Sequence, residues 1–124
     1  MRKAVLIADD NAFVRTALYE FFQREPDFMV CGVAENGRDA VEEACRLRPD
    51  LIVLDMVMPE MDGLEAARLL KEVMPEVPLI MYSAADDEAR RAAKLAGVAE
   101  IIPKSQRVSA LIHAARGLVQ RRAA

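Results

Sequence analysis

The stretch Leu51-Ile-Val-Leu-Asp55-Met-Val57-Met-Pro-Glu60-Met-Asp62-Gly63 decides the fold class. Its first four residues are apolar without alternation, the composition of a strand buried on both faces of a parallel sheet. The run stops on a carboxylate, Asp55, where an apolar strand has no use for one. Asp62, with Glu65 three residues on, has the spacing of a capping box, so a helix begins as soon as the loop ends.

Working outward, short runs rich in Val, Ile and Leu recur at 4–8, 28–33, 51–55, 78–83 and 98–102, each followed by a longer segment of helical period. In the first helical segment Phe13, Val14, Ala17, Leu18, Phe21 and Phe22 form one stripe. In the last, Val108, Leu111, Ile112, Ala115, Leu118 and Val119 form another, and both are expected to face the sheet. Arg48-Pro49, Met74-Pro75 and Gly97 are stop signals, and Ser105 is placed to cap the final helix. Right-handed crossovers then give an α/β architecture, a doubly wound five-stranded parallel sheet with helices on both faces and its loops gathered at the carboxyl ends of the strands.

The chain has 124 residues, 53% of them hydrophobic and 30% charged, which suits one domain spanning 1–124 with no output domain. A net charge of −3 argues against a nucleic-acid surface. The apolar start is cut short at Asp9, leaving neither a signal peptide nor a membrane span, and a cytoplasmic protein is expected. Cys31 and Cys45 have no redox or zinc spacing and are expected as reduced core residues, with Met29 and Met81 as core filler.

Polar residues interrupt the pattern at strand ends: Asp9 and Asp10 after the first strand, Asp55 after the third, Ser83 after the fourth, Lys104 beyond the fifth. A parallel sheet brings these ends to one edge. Three crowded carboxylates want a hard divalent cation, Mg²⁺ or Mn²⁺. With Lys104 and the Ser83 hydroxyl to meet phosphoryl oxygens, the set fits a carboxylate that accepts a phosphoryl group.

Taken together, Val5-Leu-Ile-Ala-Asp-Asp-Asn11, the stretch 51–63 and Ser83-Ala84-Ala85 resemble the receiver domain of two-component response regulators, the CheY-like family, over essentially the whole chain. The resemblance implies a flavodoxin-like (βα)₅ fold of strand order 2-1-3-4-5. It implies Asp55 as phosphoacceptor, and a metal held by Asp10, Asp55 and the Val57 carbonyl, with Asp9 acting through water. Ser83, Ala84 and Lys104 are implied on the phosphoryl group. The implied donor is a phosphohistidine of a sensor histidine kinase or phosphotransfer protein, and the implied output surface, open to a downstream protein or a second copy, is the fourth helix, fifth strand and fifth helix. The domain would catalyse its own phosphorylation without being an enzyme with turnover. The segments 15–34 and 110–119 are also similar to receivers that precede a helix-turn-helix domain.

Two positions depart from the family. Ile101 stands where the family usually has Tyr or Phe, so no aromatic ring can swing inward on activation. Pro103 precedes Lys104 where the family commonly has Pro after it, which leaves the Lys104-Ser105 peptide no reason to be cis. A smaller or backbone-borne change at the output surface is therefore expected. Val57 and Ala85 offer no polar atom to position water, and slow loss of phosphate is expected.

Plainer readings exist for each residue. Asp9 and Asp10 suit the cap of the first helix, Asp55 a turn, Ser83 the cap of the fourth helix with Asp86 three residues on, and Lys104 a solvated charge. His113 is expected on the surface, and Arg90, Arg91 and Lys94 on a solvated face. Three other functions compete. A degenerate receiver that only binds partners is kept open by Ile101. A haloacid-dehalogenase-like phosphatase needs a second acid where Val57 stands. A flavodoxin-like FMN carrier needs a Ser/Thr/Gly-rich loop and a stacking tryptophan, and the chain has neither.

Overall fold

A computed structural model describes residues 2–123. Strands and helices alternate as β1 (Lys3–Ala8), α1 (Ala12–Arg24), β2 (Phe28–Ala34), α2 (Gly37–Leu47), β3 (Leu51–Leu54), α3 (Gly63–Val73), β4 (Leu79–Tyr82), α4 (Asp87–Leu95), β5 (Glu100–Ile102) and α5 (Val108–Ala123). The five strands form one parallel sheet of order β2-β1-β3-β4-β5. In β3 and β4 all eight residues are buried, as central strands covered on both faces must be.

Alternate strand residues feed two separate cores. Leu6, Ile52, Leu54, Leu79, Met81 and Ile101 pack under α2, α3 and α4. Val5, Ile7, Leu51, Val53, Ile80 and Tyr82 pack under α1 and α5, together with Leu18, Phe22, Leu111 and Ala115. The α5 stripe lies where it was expected: Leu111, Ile112, Ala115, Leu118 and Val119 are buried.

The α1 stripe does not. Its six apolar residues fall in two adjacent i, i+4 rows, and the helix turns only one inward. Leu18 and Phe22 are buried beside half-buried Val14, whereas Phe13 is 89% and Phe21 42% exposed. Three further expectations fail for similar reasons of register. Met29 lies on the outer side of the edge strand β2 and is exposed. Cys45 sits on the solvent side of α2 and is exposed, whereas Cys31 packs half-buried against the core beneath α2, α3 and α4, and both are free thiols as expected. Ser105 lies three residues ahead of Val108, where α5 starts, too early to cap it. His113 is exposed, and Arg91 and Lys94 lie on the solvated side of α4.

Helix ends follow side-chain chemistry. Asp62 accepts from the Glu65 N–H at 2.9 Å, as its spacing predicts. The last turn of α2 closes on Arg48 in the left-handed region (φ 51°) before Pro49, and α4 gives way to Gly97 (φ 95°). No helix among the described residues is long and apolar enough to cross a membrane.

Candidate functional site

The neighbouring strands β1 and β3 end level with each other, and their hydrogen bonds carry the acids to one place. The Asp9 N–H donates to the Ala34 carbonyl at 3.0 Å and the Asp55 N–H to the Ala8 carbonyl at 2.9 Å. Both side chains are buried, at 1% and 6% exposure, while Asp10 is exposed. Carboxylate oxygens of Asp9, Asp10 and Asp55 all lie within 4.8 Å of one another. From the turn after β5, the Lys104 ammonium reaches Asp9 Oδ2 at 3.0 Å and Asp55 Oδ2 at 3.2 Å. Among the described residues it is the only basic side chain that forms an ion pair with these carboxylates.

Burial raises the Asp9 carboxyl above the usual carboxylate range, and the charge of Asp55 adds to this; the Asn11 N–H and Lys104 work in the other direction. Lys104 also titrates above its ordinary value, because its bonds to Asp9 and the field of Asp55 outweigh its own desolvation. One ammonium is thus shared by two carboxylates, Asp9 and Asp55. With all three acids ionised, two negative charges stay unbalanced, and an all-oxygen donor set of that charge suits a small hard cation such as Mg²⁺ or Mn²⁺.

The loop after β3 is clamped at both ends by glycine. The Gly63 N–H donates to the Met56 carbonyl at 2.7 Å, and the Gly37 N–H at the start of α2 donates to the Met61 carbonyl at 2.9 Å. A Cβ at Gly63 would overlap the Asp55 carbonyl oxygen, and one at Gly37 the Met61 carbonyl oxygen. Between the clamps Glu60 takes a left-handed backbone (φ 67°), a conformation that strains an L-residue by about 1–2 kcal/mol. Val57 is 73% exposed beside Asp55.

Ser83 is buried at the end of β4, its N–H donating to the Ile102 carbonyl at 3.2 Å and its hydroxyl to the Ala84 carbonyl at 3.4 Å. Ala84 is exposed beside it. Ile101 is 8% exposed in the core beneath α2, α3 and α4. No peptide bond among the described residues is cis.

The plainer readings are overturned where another residue does the work. Asn11, not Asp9 or Asp10, caps α1, accepting from the Phe13 and Val14 N–H groups. Asp86, not Ser83, caps α4, accepting from the Ala89 N–H at 2.8 Å. Lys104 is not a solvated charge. Sequence reasoning missed Arg15, whose Nη1 donates to the Asp9 carbonyl at 2.8 Å. Nothing in a lone arginine one turn into a helix signals that contact; Asn11, a favoured capping residue ahead of a periodic run, was discoverable.

The model of the response regulator receiver domain family matches residues 5–116. The chain belongs to that family. Relatives include a protein-glutamate methylesterase/protein-glutamine glutaminase of Nocardioides sp., 36% identical over 110 residues, which are 86% of this chain and 30% of that protein. Another, from Pyrococcus abyssi, is 41% identical over 103 residues, 81% of this chain and 28% of that protein. This receiver domain thus spans less than a third of the length of these curated relatives. Among solved structures, the response regulator domain of Thermotoga maritima CheB superposes with a TM-score of 0.89 at 30% identity, covering 97% of this chain and 98% of that one. A CheX-CheY-BeF3-Mg complex from Borrelia burgdorferi gives a TM-score of 0.84 at 26% identity, covering 90% and 84%. The flavodoxin-like receiver fold is therefore established, and with it a place in two-component signalling.

Proposed function

We propose that this receiver domain is a phosphorylation switch in which Asp55 accepts a phosphoryl group from the phosphohistidine of a sensor histidine kinase or a histidine phosphotransfer protein. The observation that carries the reading is Lys104, held between Asp9 and Asp55 at 3.0 and 3.2 Å while a third carboxylate stands within 4.8 Å. A structural ion pair needs one acid; three acids and one shared amine suit a pocket that receives a cation and an anion together.

Asp9, Asp10, Asp55 and the Val57 backbone carbonyl would hold Mg²⁺ or Mn²⁺, with Asp9 acting through water. When bound, the metal supplies positive charge against the incoming phosphoryl oxygens. An Asp55 Oδ atom forms the new P–O bond as the P–N bond of the donor breaks and its imidazole leaves with a proton. Lys104 then pairs with a phosphoryl oxygen, and the Ser83 hydroxyl turns from the Ala84 carbonyl to donate to another. That the Borrelia CheY forms a complex with BeF3 and Mg²⁺ supports a metal-assisted reading of this domain.

Movement of Ser83 and Lys104 at the ends of β4 and β5 would bias the α4-β5-α5 surface toward a downstream protein or a second copy. Ile101 cannot report this by rotating a ring, so the change there is carried by backbone. The domain acts in the cytoplasm as a self-phosphorylating signalling module that loses its phosphate slowly.

Intact-protein mass spectrometry after incubation with acetyl phosphate and Mg²⁺ tests the chemistry. One phosphate adduct is expected on the wild type and none on Asp55→Asn. No adduct on a folded wild type would favour instead a receiver that binds partners without phosphorylation, the reading that Ile101 keeps open.

A further inference from the structure

We propose that Arg15 is a positioning residue for the acidic pocket, one that fixes the peptide joining Asp9 to Asp10; this rests on the metal-assisted reading above. Where β1 ends, the Asp9 N–H is still bound to the Ala34 carbonyl of β2, but the ladder on that side stops there, because β2 is last paired at Ala34 opposite Ala8. The Asp9 carbonyl is instead met by Arg15 Nη1 at 2.8 Å, from a side chain only 19% exposed. The carbonyl of Asp9 and the N–H of Asp10 belong to one planar unit. A charged donor on one end of that plane sets the direction in which both acids leave the backbone. Asn11 is held from the other side, its N–H donating to Asp9 Oδ1 at 2.9 Å.

The second contact of the guanidinium, to Glu35 at 3.6 Å, does not explain the residue. Glu35 is 70% exposed, and an ion pair of that length at the surface contributes little. Arg15 therefore acts on the carbonyl, and through it on the ligand set.

The test is Mg²⁺ titration calorimetry on the full chain, beside the Asp10 amide shift in metal-free protein. Arg15→Ala is expected to move the Asp10 amide without metal and to weaken Mg²⁺ binding about tenfold, the usual scale for groups that orient ligands. Its phosphorylation by acetyl phosphate should fall at low Mg²⁺ and recover at saturation. Arg15→Lys, which keeps a donor, should recover part of the affinity, and Glu35→Gln should bind as the wild type does. A purely structural role would lower the unfolding midpoint and leave the Mg²⁺ affinity of the folded protein unchanged, which would overturn the proposal. Should Arg15→Ala not fold, wild-type affinity in both Arg15→Lys and Arg15→Gln would overturn it equally. A wild type that binds Mg²⁺ and takes phosphate while every variant matches it removes only Arg15's role; a wild type that does neither removes the reading of the site itself.

Discussion

Val57 and Ala85 stand two residues beyond Asp55 and Ser83, and neither side chain carries a polar atom. Val57 is exposed and Ala85 half-buried against the core under α4. Hydrolysis of an aspartyl phosphate needs a water held in line with phosphorus, and positioned groups of that kind account for tenfold effects and more. With only apolar side chains at these two positions, the adduct on Asp55 should persist for minutes or longer once donor is removed. Val57→Asn, which adds an amide at an already exposed position, should shorten that lifetime by roughly tenfold without unfolding the chain. The decay of the phosphate mass with time decides this, and a wild-type lifetime of seconds would contradict it.

At the scale of the element, α1 illustrates what a pattern of apolar residues can and cannot fix. Phe13, Ala17 and Phe21 make one row, Val14, Leu18 and Phe22 the next, about 100° around the helix. Either row alone would serve as a core stripe. The sheet selects the second, since Phe22 meets Phe28 edge to face with ring centroids 5.2 Å apart. Phe22→Ala should thus cost about 3–5 kcal/mol in urea unfolding, as for a large buried ring, whereas Phe13→Ala should stay within about 0.5 kcal/mol. Comparable losses in both would show that the first row is buried after all. The same logic marks how far the sequence was legible. All ten elements and the strand ends bearing Asp9, Asp55, Ser83 and Lys104 follow from runs and periods, because burial on both faces leaves few other compositions. Exposure at a sheet edge or on the outer side of a helix does not follow: Met29 and Cys45 are as apolar as their buried neighbours, and only tertiary placement turns them outward. Nor does a contact such as Arg15 to the Asp9 carbonyl, which depends on where a strand stops pairing and not on any residue type.

Across the whole molecule, one arginine adds a polar tie between the last helix and the turn that follows the first. From α5, Arg116 reaches the turn between α1 and β2, where its Nε and Nη2 donate to Asp27 at 2.7 and 2.9 Å, while its guanidinium lies 5.8 Å from the Phe28 ring centre. Glu25 adds a longer contact at 3.4 Å. The fork bonded to Asp27 holds that carboxyl below its ordinary value, against a smaller opposing effect of burial, and Arg116 is correspondingly raised. Since the folded state is the one that prefers Asp27 ionised, the stabilisation is complete above the unfolded carboxyl value near 4 and disappears as pH falls through the lower folded value. Both side chains are more than a third exposed, so solvent screening keeps the contribution to about 0.5–1 kcal/mol. Asp27→Asn should accordingly be less stable than the wild type by that amount at pH 7 in urea unfolding, and the gap should close as the pH is taken down toward 2. A gap of constant size from pH 7 to pH 2 would mean that the amide disturbs the turn itself, and that the ion pair between α5 and the α1–β2 turn contributes nothing to holding the sheet's outer helices together.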